Sequence, residues 1–244
     1  MYEIFALSWF TLWINLSCQF AIMFSTSTYY FNSDEARVGQ AEVGLALKMT
    51  HINHMGTIAF GSAVLVWIEW IKFFFVLPAK RMSNFGKSNC FCRCLVCCSD
   101  CSLFCCEKLT DYMGTEAMTY IAITGDNFCD GAWKGFMMQV RYMLEFQYSM
   151  RVITVFSYAL KMIIVLANLL TFLIMSEVII GDGKNLNSYS AVVILNLILS
   201  YITAAMFMSF FETVSFSLLM CLCVDNDLHG VLEFGPSPFH EIVH

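Results

Sequence analysis

The sequence predicts an all-α, polytopic membrane helical bundle of about four transmembrane helices with an interfacial Cys-rich helical segment. Three observations carry that prediction. Of 244 residues, 59% are hydrophobic and only 13% are charged, against about 25% charged in a soluble domain. The mean hydropathy is +0.67, and with 16 Met and 23 Phe there are too few polar groups to cover an aqueous surface. Long uncharged runs recur that reach the ~20 residues needed to span a bilayer as a helix. The net charge of −6 carries no basic excess, which argues against nucleic acid as a partner and leaves the lipid bilayer as the expected one.

The elements follow in order along a single membrane domain, 1–244. Between Glu3 and Asp34 no residue is formally charged, which predicts a first span over about 4–30. Trp9, Trp13, Tyr29 and Tyr30 are placed to sit near its interfaces. Residues 32–50 are polar and mixed in charge, a loop or surface helix. A second span is expected over 55–77, stopped by Pro78, with Glu69 and Lys72 inside it. Residues 79–147 hold seven of the thirteen Lys/Arg residues. A third span covers about 152–176 with Lys161 inside. A polar turn around Gly181-Asp-Gly183 leads to a fourth over 188–212. From Asn185 to Val224 the one formal charge is Glu212. A single helix of that length would be about 60 Å long, so it must break or project beyond the hydrocarbon. The tail 225–244, with Gly230, Gly235, Pro236 and Pro238, reads as irregular.

Four spans put both termini and the basic loop on one side. The positive-inside rule assigns that side to the cytoplasm or its topological equivalent. Plasma and organellar membranes stay open, the mitochondrial inner membrane included.

Eight of the twelve cysteines fall between Cys90 and Cys106. Cys94-Leu-Val-Cys97 and Cys98-Ser-Asp-Cys101 are abutting CxxC pairs, but zinc sites usually separate their ligand pairs by a dozen or more residues. Read as a helix, Cys94, Cys97, Cys98, Cys101 and Cys105 share one face. A structural face at the membrane interface is the leading reading, S-acylation the second, metal or redox chemistry the last. His51 and His54 also share a helical face, with no third ligand nearby. No metal site and no cofactor are expected.

Charged residues inside spans are costly and mark function by default. Counted from the non-cytoplasmic ends, Glu69 and Lys161 lie at nearly one depth, which predicts that they pair, with Lys72 a turn below and able to snorkel. The same count leaves Glu212 near the cytoplasmic edge. An ion pair that orders the bundle is favoured over a transport relay. Gly56, Ala59, Gly61, Ser62 and Ala63 allow close helix packing or line a solute path. Phosphate loop, nucleophile elbow and HExxH signatures are absent, so no enzyme is expected.

His54-Met-Gly56-Thr-Ile-Ala-Phe-Gly61-Ser62 resembles the HxGSxAxGS entry to a late span of the choline transporter-like family. Cys105-Cys106-Glu107-Lys108-Leu109 is similar to that family's CxWCLEK segment, and Ala117–Ala132, with Asn127-Phe128-Cys129, to its AYxxxAIxxxNFCxSA block. Lys161 matches the lysine of the next span. Phe211-Glu212 through Cys221-Leu-Cys223, with Asn226–Gly230, resembles the last span and the acidic segment after it. The resemblance is collinear from about Cys18 to Gly230 and implies a cytoplasmic cysteine-rich loop.

Relatives of this kind have roughly ten spans, so the resemblance implies a truncated chain holding the distal part. Glu69 also departs from a position that is basic or neutral in relatives. A carrier alternates two sides around a midplane site. The expectation is therefore a non-catalytic accessory or structural subunit among other membrane subunits. The alternative is a transporter of choline or a related organic cation, acting with a partner or as an oligomer. Trp67, Trp70, Tyr158 and Tyr201 are then the candidate cation-contacting aromatics.

Overall fold

The computed structural model describes residues 2–34, 37–76, 115–180, 189–230 and 232–239. They form seven α-helices: α1 (Tyr2–Phe31), α2 (Val43–Lys48), α3 (Met55–Ile71), α4 (Ala117–Thr124), α5 (Phe128–Arg141), α6 (Met143–Ile180) and α7 (Tyr189–His229). Single π-helical turns precede and follow α3, at Met49–Asn53 and Lys72–Val76. Among the described residues four helical stretches are long and apolar enough to cross a membrane, Tyr2–Phe31, Met55–Phe74, Met143–Ser176 and Ser190–His229. The chain is an all-α integral membrane protein. The Cys-rich segment with Cys94, Cys97, Cys98, Cys101 and Cys105 lies outside the described residues.

Local chemistry explains the helices. In α1 the hydroxyls of Ser8, Thr11 and Ser17 donate to the carbonyls of Ile4, Leu7 and Trp13, each at 2.8 Å. Such back-bonding keeps small polar groups satisfied in hydrocarbon. α4 stops at Gly125, whose φ of 73° is left-handed and whose N–H closes on the Ile121 carbonyl at 2.8 Å, an αL C-terminus. The third and fourth expected spans, 152–176 and 188–212, prove longer at both ends of α6 and at the C-terminal end of α7. α7 does not break, and residues 225–229 of the expected irregular tail are its last turn.

The chain divides into two compact units, Met1–Tyr142 with Ser217–His244, and Met143–Phe216. In the first, α1 and α3 run antiparallel: Phe20 stacks on His54, Trp9 bonds to Ser62, and Phe5 meets Trp67 and Trp70. Their core joins Leu16, Phe20 and Met23 of α1 with Ile58 and Leu65 of α3, Met118, Ile121 and Ala122 of α4, and Phe128 of α5. α4 is buried through most of its length.

In the same unit the end of α7 lies beside the end of α1. Ser217 donates to the Met23 carbonyl at 3.2 Å and Tyr30 to Asp225 at 3.2 Å. Arg141, at the end of α5, pairs with Asp227. Residue 76 therefore lies toward the N-terminal end of α1, and residue 141 lies at its C-terminal end.

In the second unit α6 and the first part of α7 are antiparallel neighbours. Phe146 meets Phe216, Phe156 meets Phe211, and the Asn168 amide donates to Ser200 at 2.9 Å. Each step forward along one helix is matched by a step back along the other.

Candidate functional site

The charged residues of the expected spans are built into two separate places. On α3, Glu69 accepts from Lys72 at 2.8 Å, three residues on. On α6 and α7, Lys161 donates to Glu212 at 2.9 Å, and the Ser157 hydroxyl, one turn before Lys161 and fully buried, donates to the same carboxylate oxygen. The expected pairing of Glu69 with Lys161 is thus corrected, since each has its partner within its own unit. The error lay in the depth count. It took Ser176 and Ser188 as span ends, whereas α6 continues to Ile180, which lowers Lys161 toward the level of Glu212. Glu212 is accordingly not an isolated charge near an edge but half of an ion pair.

That pair has a defined chemistry. The Glu212 side chain is 36% exposed and that of Lys161 19%, on helices whose neighbours include exposed Val155, Phe156, Phe210 and Phe211. A carboxylate shared by an ammonium and a hydroxyl is neutralised without being sealed, so its second oxygen can meet another cation or water.

The aromatics divide as well. Trp67 and Trp70 both meet the Phe5 ring edge-on at 5.5 Å, and Trp70 also packs on Phe74. Tyr158 and Tyr201 are 62% and 52% exposed in the other unit. Trp67 and Trp70 share a ring neighbour; Tyr158 and Tyr201 stand on the outer surface of theirs.

The glycine motif at the entry to α3 is a packing device. Trp9 of α1 donates its indole N–H to Ser62 Oγ at 3.1 Å, and Ser62 in turn donates to the Ala59 carbonyl at 2.9 Å. At Gly61 a Cβ would run into the Met118 methyl and stand 2.8 Å from the Phe128 ring. At Gly56 it would meet nothing within 4 Å. The two glycines of one motif therefore do different work. His54 ends the π-helical turn, and burial pushes its pKa below the ordinary 6.5.

Asn127 stands at the N-cap of α5 with extended backbone but no side-chain cap bond, Phe128 is buried in the core, and Cys129 is a free exposed thiol. Among the described residues no cluster of three or more His, Cys, Asp or Glu could hold a metal ion.

Sequence reasoning missed the carboxylate with the most partners among the described residues. Asp225 is fully buried. It accepts from the Tyr30 hydroxyl at 3.2 Å and from the backbone N–H groups of Glu233 and Phe234 at 3.2 and 3.1 Å, and faces His229 Nδ1 at 3.0 Å. Gly235 N–H adds a bond to the Ser33 carbonyl at 2.9 Å. Residues 232–239 are clasped onto the end of α1. The available signal was Asp225 and His229 at i, i+4 spacing, which marks a helix rather than an irregular tail.

Comparison with known proteins agrees with the earlier resemblance. A family model described as plasma-membrane choline transporter matches residues 1–227. Choline transporter-like protein 4 of Mus musculus is 26% identical over 232 residues, covering 92% of this chain and 32% of its own length. Choline transporter-like 1 of Drosophila melanogaster is 29% identical over 214 residues, covering 87% and 30%. Choline transporter-like protein 5-A of Danio rerio is 29% identical over 192 residues, covering 76% and 27%. The chain spans about a third of the length of the curated relatives it matches.

Proposed function

The chain belongs to the plasma-membrane choline transporter family, and from that premise we propose that it supplies membrane helices to a carrier of choline or a related quaternary amine. In this reading it is a supporting subunit, completed by further membrane helices, and does not move solute alone. The observation that carries the reading is the Lys161–Ser157–Glu212 cluster, an ion pair left partly exposed at Glu212 on helices of membrane length. Ionised side chains at such depth face protein or a watered path rather than lipid. A neighbouring body that closes over Glu212 would satisfy that requirement, and a cation moving past would find there a carboxylate already balanced by a displaceable ammonium. Exposed Tyr158 and Tyr201 in that unit supply further faces for a quaternary ammonium ion.

Choline uptake separates the two parts of the proposal. Liposomes holding the purified chain alone are expected to take up choline at the background rate of empty liposomes. Cells expressing the chain are expected to show raised uptake that Glu212→Gln removes. Saturable uptake by the chain alone would transfer the assignment to an autonomous carrier.

A further inference from the structure

α4 and α5 fold back on each other around the turn Thr124–Asn127. Three contacts set their antiparallel register. Near the open end the Gln139 amide donates to Glu116 at 2.6 Å. Near the turn Lys134 pairs with Asp126 at 2.8 Å. Between them a Cβ at Gly131 would run into Ile121, so the two backbones lie close. The open end stands beside the C-terminal end of α1, where Arg141 pairs with Asp227 and Tyr30 meets Asp225. The closed end lies deeper. Phe128, the first residue of α5, meets the Phe60 ring at 5.4 Å. Phe60 stands five residues inside the membrane-length stretch Met55–Phe74, which is about 8 Å in. The turn lies on the side of Phe128 away from Arg141, deeper still. At that depth Thr124, Asn127 and Asp130 are exposed, and the Lys134 side chain is 53% exposed. An interfacial helix keeps its charges toward the headgroups. Here Asp126 and Asp130 sit at the deep end, while exposed Trp133, Phe136, Met137 and Val140 stand nearer the open one.

We propose that α4 and α5 form a re-entrant hairpin whose tip walls an aqueous path for small organic cations, entered from the face at which α1 ends. Non-helical backbone at such depth persists only where protein buries it or water lines it. The first unit does not bury it, since Thr124, Gly125 and Asn127 are exposed. Lipid is excluded by the cost of ionised groups in hydrocarbon. A dry protein cover would have to desolvate the Asp126–Lys134 pair and Asp130 together, a heavy penalty that water does not impose. Two carboxylates against one ammonium leave the tip net negative, so the path favours a cation over an anion. The proposal rests on the reading of the chain as part of an organic-cation carrier, and gives that carrier a wetted wall in the first unit.

Cys129, an exposed free thiol at the second position of α5, reports on the tip. Membranes holding the full chain are treated with a trimethylammonium or a sulfonate methanethiosulfonate, and the labelled peptide is identified by mass. Cys129 is expected to react with both, the cation being favoured roughly tenfold relative to a free thiol in solution. Asp130→Asn should cut that preference roughly threefold or more. Phe60→Cys, exposed at the same level on α3, and Trp67→Cys, exposed deeper in that stretch, are the depth controls. Both should accept only a lipid-soluble maleimide. If they take the charged reagents as well, this level stands outside the membrane and the re-entrant hairpin is overturned. A Cys129 that takes only the maleimide means a dry tip, and the path is lost. If Cys129 takes the charged reagents only after extraction into detergent, a neighbouring protein covers the tip. That outcome also ends the path, while the supporting-subunit reading stands. Equal rates for the two reagents overturn the cation preference. Saturable choline uptake by the chain alone overturns the supporting-subunit reading and leaves the path standing.

Discussion

Single residues show where sequence motifs and physical constraint part company. Gly56 and Gly61 are equivalent as letters in one motif, yet only Gly61 faces packed atoms. Met118 is fully buried and Phe128 nearly so, so neither can retreat without disturbing the core of the first unit. Gly61→Leu should therefore destabilise by about 2 kcal/mol or more through overpacking, whereas Gly56→Ala should stay within about 0.5 kcal/mol of the parent. Thermal unfolding in detergent of the two variants checks the contrast. Asp225 is the second test at this scale. Asp225→Ala would strand the Tyr30 hydroxyl and two backbone N–H groups, a loss of about 3 kcal/mol. It should also release residues 232–239 to protease well before the helices unfold, which limited proteolysis followed by mass measurement reads directly. The Gly61 contact was half legible in the sequence, since small residues in an apolar run imply close approach without naming the approaching atom. The Asp225 clasp was illegible because its donors come from residues 195 positions earlier and eight and nine later.

At the scale of elements, the boundaries that matter are the turns rather than the spans. The long apolar runs announced α1, α3, α6 and α7, because hydrocarbon leaves a backbone no choice but internal hydrogen bonding. Their ends were harder to place, since hydropathy falls off gradually while a helix continues for as long as its bonds do. That is why the depth count for Lys161 slipped and the Glu69 pairing failed with it. The entry to α3 carries a pH dependence of its own. There the chain leaves a π-helical turn at His54, whose ring stacks on Phe20 at 5.2 Å and whose pKa burial holds below the ordinary 6.5. The folded chain thus resists a proton that the unfolded chain accepts. Stability should decline as the pH falls through the unfolded value and level off once the folded value is passed. Melting temperatures of the parent between about pH 7 and about pH 5 should fall more steeply than those of His54→Phe, which keeps the ring contact without the titration. Equal slopes would remove His54 from the account.

For the whole molecule, the decisive quantity is how many times the chain passes from one membrane face to the other. Composition gives the environment and hydropathy gives four long helices, but neither gives the parity. Parity comes from contacts within the first unit. α3 returns antiparallel to α1, so Trp70 stands beside Phe5 near the start of the chain. Asp225 near the end of α7, by contrast, touches Tyr30 at the far end of α1. Residues 2 and 229 consequently lie at opposite ends of α1. The basic residues of the segment between α3 and α6 count toward a single loop only if its two ends share a face, whereas α3 runs back toward Phe5 and Arg141 pairs with Asp227, beside the far end of α1. An epitope placed before Tyr2 and another placed after Phe239 should therefore be reached by antibody from opposite sides of a sealed membrane. Selective permeabilisation of cells carrying the doubly tagged chain should reveal one tag before the membrane is opened and the other only afterwards. If both tags appear together, the basic segment is one-sided and the contact of Tyr30 with Asp225 cannot describe the inserted protein.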